Sequence, residues 1–118
     1  MHLILHLLVN VNLLKHLRDN HPDPSTIKIR YQTNGSVSPT DEVIDLLKIF
    51  QSVEFSLSID GIGRRFDYLR WPLKWYRVER NVNNLLNTTN ITFSVNATIS
   101  PLNVFYFQEI DDWMVKTI

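Results

Sequence analysis

The chain has 118 residues, of which 44% are hydrophobic and 20% charged, and its 12 Lys and Arg residues are balanced by 12 Asp and Glu residues. This composition is typical of a single globular domain that buries a core. The balanced charge gives no electrostatic footprint for DNA or for an anionic membrane. The absence of cysteine excludes disulfides, thiolate zinc sites and cysteine-held iron–sulfur clusters within this chain.

The amino-terminal stretch, residues 1–11, is apolar but lacks the features of a targeting segment. No Lys or Arg precedes the apolar run and no small-residue cleavage site follows it, so a signal peptide is not expected. The run is also far shorter than the roughly 20 residues that span a bilayer. We therefore expect a cytoplasmic protein that binds neither membranes nor nucleic acids.

The first predicted element is a helix from Leu3 to Asn20, in which apolar residues recur near the 3.6-residue period. On this prediction the chain opens directly into a helix, with no strand before it. His2 and His6 are four residues apart and would share one helical face, as helical metal ligands do. No carboxylate completes a ligand set nearby, so ordinary surface or core histidines are the preferred interpretation.

Three strands are predicted at 25–32, 53–59 and 91–100, because apolar and polar residues alternate in each of them. A helix follows each strand: the first begins near Ser38-Pro39, the second near Trp71-Pro72 and the last near Ser100-Pro101. The predicted order is therefore α-β-α-β-α-β-α, an α/β domain of three parallel βα units.

Each predicted strand keeps one polar face, whereas strands covered by helices on both sides read as continuous apolar runs. Helices on one side and a polar opposite face suit part of a wide or open β/α barrel whose interior holds a ligand. A doubly wound sheet is the alternative. In either fold, ligands bind at the carboxyl ends of the strands, which here are 33–35, 58–61 and 98–100.

The polar residues near these ends have structural as well as functional interpretations. In an isolated Ser-x-Asp-Gly, Ser58 and Asp60 are more typical of a cap and an Asx turn than of a ligand site. The repetition of polar faces on three strands favours a ligand-lined interior instead. Three nearby arginines either form a solvated face or pair with Asp67: Arg64, Arg65 and Arg70.

Four motifs, taken in order, resemble the middle of a radical S-adenosylmethionine enzyme, most closely members with a twitch or SPASM extension after the barrel. Asn-Gly and Asp-Gly turns are individually common, so the order and spacing of the motifs carry the resemblance. It extends from about Ile27 to Trp113. The motifs are Thr33-Asn34-Gly35, Ser58-Ile59-Asp60-Gly61, Phe66-Asp67-Tyr68-Leu69-Arg70 and Val78-Glu79-Arg80-Asn81-Val82.

The resemblance implies a partial (β/α)6 barrel, of which residues 1–118 hold the third to fifth strands preceded by the second helix. In the family, the ends of the third and fourth strands contact the ribose and methionine parts of S-adenosylmethionine. An arginine after the fourth strand meets the cofactor carboxylate, which suits a guanidinium, and polar side chains of the fifth strand face the interior. The corresponding residues here are, in that order, Thr33 and Asn34, Ser58 and Asp60, Arg70, and Asn96 with Thr98.

The chain departs from the family in the motifs that hold the iron–sulfur cluster and the cofactor amino group. The family binds a [4Fe–4S] cluster through a Cys-x3-Cys-x2-Cys loop after its first strand and holds the amino group with Gly-Gly-Glu after its second. This chain has no cysteine and no such Gly-Gly-Glu, and on the resemblance both would precede Met1. Because the cluster supplies the electron that cleaves the cofactor, this chain alone is expected to be inactive.

Two classes of function remain. In the first, the chain is a segment of an enzyme that would cleave S-adenosylmethionine reductively, make a 5′-deoxyadenosyl radical and act on a peptide or small-molecule substrate. In the second, it is a truncated or degenerate α/β remnant with a structural or interaction role. In both, the first predicted strand lacks a neighbour, so we expect pairing with the missing barrel units or self-association through that edge.

Overall fold

Strands and helices alternate along the chain. The computed structural model describes the backbone of residues 2–6 and residues 11–118. The strands are β1 (His2–His6), β2 (Lys28–Thr33), β3 (Ser52–Ser58) and β4 (Ile91–Asn96). The helices are α1 (Val11–Asn20), α2 (Asp41–Leu47), α3 (Arg64–Leu69), α4 (Trp75–Leu85) and α5 (Phe107–Thr117). Short 3-10 turns lie at Pro24–Thr26 and Val104–Tyr106.

The four strands form one parallel sheet in the order β1-β2-β3-β4. The register places His2 opposite Lys28, Lys28 opposite Ser52, and Val53 opposite Ile91. Each strand therefore lies beside the strand that follows it in sequence, and the sheet grows in a single direction. The prediction of an α/β chain with parallel strands is confirmed at this level.

The predicted helix from Leu3 to Asn20 is wrong in its first half, because His2–His6 is a strand and α1 begins at Val11. A short apolar run has no periodicity that separates strand from helix, and here the neighbouring strand β2 decides the outcome by backbone pairing. The chain consequently does not open into a helix. The edge of β2, which was expected to lack a neighbour, is covered by β1.

Two further predicted boundaries are wrong. The helix expected from Trp71 begins at Trp75, whose backbone N–H donates to Asp67 Oδ1 at 2.7 Å; this carboxylate caps the first turn. The helix expected from Ser100 is regular only from Phe107. The helix expected near Ser38-Pro39 begins slightly later, at Asp41, because its N-cap is Thr40: Thr40 Oγ1 accepts a hydrogen bond from the N–H of Val43 at 3.3 Å.

The helices pack against one face of the sheet. An aromatic ladder crosses three strands on this face: Tyr31 stacks on Phe55 at 5.3 Å between ring centroids, and Phe55 stacks on Phe93 at 5.8 Å. Burial of this face is the main source of hydrophobic stabilisation. The buried helical residues that contact it are Leu14, Leu46, Leu47, Phe66, Trp75, Val78, Val82, Leu85 and Trp113.

The opposite face of the sheet is polar, as the alternation in β2, β3 and β4 predicts. Two charged residues of this face pair across strands: Arg30 Nε lies 2.7 Å from Glu54 Oε2, in agreement with their position opposite each other in the register. The remaining residues of this face on β2, β3 and β4 are Lys28, Gln32, Ser52, Ser56, Ser58, Thr92, Ser94 and Asn96.

Among the described residues, no helix has the length and apolar character needed to cross a membrane.

Candidate functional site: the carboxyl edge of the sheet

The carboxyl ends of β2, β3 and β4 lie at one edge of the sheet, because the strands are parallel. The strands end at Thr33, Ser58 and Asn96, all predicted site residues. Ser58 and Asn96 are directly opposite each other in the register. Ser58 is half-buried and Asn96 is exposed, so both polar side chains remain accessible to a ligand at this edge.

At the end of β2, the two predicted residues fold back on their own turn. Thr33 Oγ1 accepts a hydrogen bond from the N–H of Gly35 at 3.0 Å. Asn34 Oδ1 accepts from the N–H and the hydroxyl of Ser36 at 2.9 and 2.7 Å. These are the local side-chain turns typical of Thr and Asn. They leave the Asn34 amide N–H groups as the main donors here for a ligand.

After β3, Asp60 connects two loops. Its Oδ1 accepts a hydrogen bond from the N–H of Thr98 at 2.8 Å, and its Oδ2 lies 2.8 Å from Arg70 Nε. The N–H of Arg70 Nε is not aligned with an acceptor, so this contact is an ion pair rather than a directed hydrogen bond. The two side chains are 14% and 29% exposed. Because the Thr98 amide is held by this carboxylate, β4 ends at Asn96 rather than at Ser100.

Asn103 completes this network, although no sequence pattern singled it out. The side chain, 1% exposed, donates from Nδ2 to the carbonyls of Asp60 and Thr98 at 3.0 and 2.7 Å. Its Oδ1 accepts from the N–H of Ser100 at 2.8 Å. The only signal available in the sequence is an Asn placed just after a Ser-Pro turn. Such a signal does not predict the hydrogen bond to the carbonyl of Asp60, which lies 43 residues earlier in the sequence.

The other arginines near β3 do not pair with Asp67. Arg65 Nε lies 3.2 Å from Glu109 Oε2, and its guanidinium lies 3.3 Å from the ring centroid of Tyr106. Asp67 instead caps α4 through Trp75. Of the two alternatives for this arginine cluster, a solvated face or pairing with Asp67, the pairing is therefore wrong. Arg65 instead joins α3 to the start of α5.

A small cavity lies behind the β2 turn. Asn81 Nδ2 donates to the carbonyl of Gly35 at 2.8 Å, whereas Asn81 Oδ1 is buried without a hydrogen-bond partner. The cavity has a volume of about 10 Å³, which is close to the minimum that holds one water molecule. A larger, open groove of about 490 Å³ lies between α1 and α2, and none of the predicted site residues lines it.

The less favoured interpretation of His2 and His6, as metal ligands on one face of a helix, loses its structural premise. Both residues lie in β1 rather than in a helix, and a strand separates residues four apart by about 13 Å. Their side chains lie outside the described residues. Within residues 11–118, no three His, Asp or Glu side chains come together as a metal-binding group.

Comparisons of the chain with protein-family models, with curated proteins and with solved structures found no match. The interpretation of this edge therefore depends on its geometry and chemistry.

Proposed function

We propose that this chain is a segment of the partial (β/α)6 barrel of a radical S-adenosylmethionine enzyme. The observation that carries the proposal is the sequential order β1-β2-β3-β4 with the helices on one face. Right-handed crossovers that always advance in the same direction place every helix on the same side, as in a β/α barrel. A doubly wound sheet reverses direction and is covered on both faces.

On this proposal, β2, β3 and β4 take the positions of the third, fourth and fifth family strands, and β1 takes that of the second. The family's Gly-Gly-Glu would then follow β1 within this chain rather than precede Met1. Residues 7–10 read Leu-Leu-Val-Asn and contain neither glycine nor glutamate. The usual contact to the cofactor amino group is thus absent from the expected position, and the remaining contacts must come from β2, β3 and β4.

The residues at the carboxyl edge fit S-adenosylmethionine in part. The hydroxyl of Ser58 and the amide of Asn96 lie side by side at the open end of the polar face and suit recognition of ribose hydroxyls. Arg70 is already balanced by Asp60, so a cofactor carboxylate would have to share this guanidinium. We therefore expect Ser58 and Asn96 to contribute more to binding than Arg70.

The chain does not fit the [4Fe–4S] cluster, because it contains no cysteine. No catalytic step is assigned to its residues, and the chain alone is expected to bind the cofactor without cleaving it. In a complete, cytoplasmic enzyme, the cysteine loop would come from the first βα unit, and the substrate would be a peptide or small molecule.

Two measurements test the proposal. The first is the coding sequence upstream of Met1, where we expect an in-frame strand followed by Cys-x3-Cys-x2-Cys. An immediate stop with no cysteine loop in a nearby frame would favour the alternative, a non-catalytic α/β remnant with a structural or interaction role. Two observations favour this alternative. Leu-Leu-Val-Asn stands where the family has Gly-Gly-Glu, and Arg70 is already paired with Asp60.

The second measurement is calorimetric titration of the chain with S-adenosylmethionine. We expect Asn96→Ala to weaken binding about tenfold, the equivalent of one lost polar contact. Asn83→Ala, at an exposed position of α4, is the matched control and should leave the affinity unchanged. Equal affinities for the two variants, or no heat of binding for any of them, would contradict a cofactor site at this edge.

A further inference from the structure

The sheet has two open edges that are complementary to each other. Among the described strands, β1 and β4 each have a single neighbour. Both run in the same direction, because all pairs in the sheet are parallel. An unpaired strand edge presents a row of N–H and C=O groups, and another strand can form hydrogen bonds with all of these groups.

The outward groups of β4 can be identified. The carbonyl of Asn90 accepts from the N–H of Val53 on β3 at 2.9 Å, and the main-chain groups of a parallel strand alternate in direction. The main-chain groups of Phe93 and Val95 therefore point to the open edge, whereas the N–H of Ile91 is already bonded to the carbonyl of Thr88 at 3.2 Å. The strand, Ile-Thr-Phe-Ser-Val-Asn, contains no charged residue and no proline, so it lacks the usual protection of an exposed edge.

The helical layer is also incomplete at this edge. Phe93 and Val95 face the helices but are only partly buried, whereas Phe55, at the centre of the sheet, is 1% exposed. Just beyond the strand, Ile99 is 67% exposed. A further strand beside β4, with its own helix, would cover these apolar side chains.

We propose that a second copy of this chain supplies that strand: β4 of one copy pairs in parallel with β1 of the other, at both edges. Two sheets of four strands then close into an eight-stranded barrel, the number at which a parallel β/α barrel closes. The arrangement has two-fold symmetry and leaves no open edge. Helix α1 of the second copy lies beside α5 and covers Phe93 and Val95.

Closure also accounts for the polar face. The polar faces of both copies become the interior of the barrel, where Arg30 is already paired with Glu54 and the residues of β4 are uncharged. The remaining charged residue of this face on β2, β3 and β4 is Lys28, the first residue of β2, and its long side chain can reach the solvent at the end of the barrel. Head-to-tail pairing that did not close would give fibres, and antiparallel pairing of β4 with β4 would leave β1 open. This inference does not depend on cofactor binding.

Analytical ultracentrifugation of the full chain tests the proposal. We expect a dimer, and we expect Val95→Pro to raise its dissociation constant about a hundredfold, because an outward N–H is lost at each of two edges. Val95→Thr keeps that N–H and is the matched control. A wild-type monomer at every concentration, or an open-ended series of larger species, would overturn the proposal.

A second pair of variants covers the case in which Val95→Pro does not fold. Thr92 is exposed on the polar face of β4, so Thr92→Lys places a charge inside the closed barrel but on the surface of a monomer. We expect this variant to be monomeric. Asn83→Lys adds the same charge on the outer, exposed side of α4 and should remain a dimer. Equal dimerisation of both variants would contradict closure.

The strand arrangement is tested by cross-linking, which is simple because the chain has no cysteine. A closed eight-stranded barrel has a shear of about eight residues, divided equally between the two seams. Because Ile4 and Thr92 lie in one row of the sheet, this shift brings Asn96 beside Ile4 of the other copy. A thiol-reactive cross-linker should therefore join Asn96→Cys to Ile4→Cys in a mixture of the two variants. Efficient self-cross-linking of Thr92→Cys, by contrast, would indicate antiparallel β4–β4 pairing and would overturn the proposed barrel. These results are separate from the calorimetric test, so either proposal can fail alone.

Discussion

At the scale of single residues, Asn103 holds together the loops that follow β3 and β4. Its side chain binds two carbonyls and an N–H from separate segments, and it is almost fully buried. A buried amide is favourable only when its donors and acceptors are satisfied. The position of Asp60, and with it the Asp60–Arg70 ion pair, therefore depends on Asn103.

We predict that Asn103→Ala lowers the free energy of unfolding by about 3 kcal/mol, because it leaves two carbonyls and one N–H without partners. Urea denaturation measures the change. Asn83→Ala, at an exposed position of α4, removes an amide of the same size and should change the stability by less than about 0.5 kcal/mol. Similar losses for the two variants would show that the network contributes little.

Tyr31 gives the chain a defined response to alkaline pH. Its side chain is 2% exposed, and burial raises its pKa from 10.0 to about 12. Below pH 10 the group is protonated in the folded and the unfolded chain, so its contribution to stability is fully present. Between pH 10 and about 12, only the unfolded chain loses the proton, and this contribution is lost as the pH rises.

We predict that the stability of the wild type falls between pH 10 and about 12 by about 2–3 kcal/mol more than that of Tyr31→Phe, which cannot ionise. Denaturation curves at several pH values measure the difference. Tyr68→Phe, at a position 75% exposed, is the control and should follow the wild type. Parallel curves for wild type and Tyr31→Phe would contradict the shifted pKa.

At the scale of elements, the turn after β2 is fixed against α4. Gly35 has a φ of 76°, which favours glycine, and a Cβ at this position would lie 2.9 Å from Val78 Cγ1. The carbonyl of Gly35 also accepts the hydrogen bond from Asn81. The turn that carries Thr33 and Asn34 is thereby positioned by a helix more than 40 residues away in sequence.

We predict that Gly35→Ala destabilises the chain by about 2–3 kcal/mol, the sum of left-handed strain and the contact with Val78. Val78→Ala is the control background, because it removes the Cγ1 atom that the new Cβ would meet. In that background Gly35→Ala should cost only about 1 kcal/mol, the left-handed strain alone. Thermal or urea unfolding of the two single variants and the double variant compares the backgrounds, and equal losses in both would show that the contact with Val78 is relieved without cost.

At the scale of the whole molecule, the sheet is covered on one face only, and its edges β1 and β4 are open among the described strands. Much of the stability therefore depends on whether another chain completes the edges. This applies whether the chain acts as part of a larger barrel or by itself, since in both cases the same N–H and C=O groups must be satisfied.

We predict that the melting temperature of the wild-type chain rises by a few degrees when the protein concentration is raised tenfold, because association stabilises the folded state by mass action. Differential scanning calorimetry at several concentrations measures this. Thr92→Lys, designed to remain monomeric, should melt at one temperature throughout. A sharp, concentration-independent melt of a wild-type monomer would contradict association.

The sequence by itself determined the parts of the fold that depend on local pattern. Strict alternation in β2, β3 and β4 separates an apolar face, such as Tyr31 and Phe55, from a polar face. The Ser38-Pro39 pair predicts the start of α2 to within a few residues. The carboxyl ends of the strands follow from these elements, so the edge with Ser58 and Asn96 was predictable.

Only the tertiary structure decided β1, the Asn103 network and the partners of the arginines. The apolar run at 2–6 is short enough to be strand or helix, and its pairing with β2 selects the strand. Asn103 and Arg70 meet Asp60 across gaps of 43 and 10 residues. Such contacts depend on which loops the sheet brings together, which no local periodicity encodes.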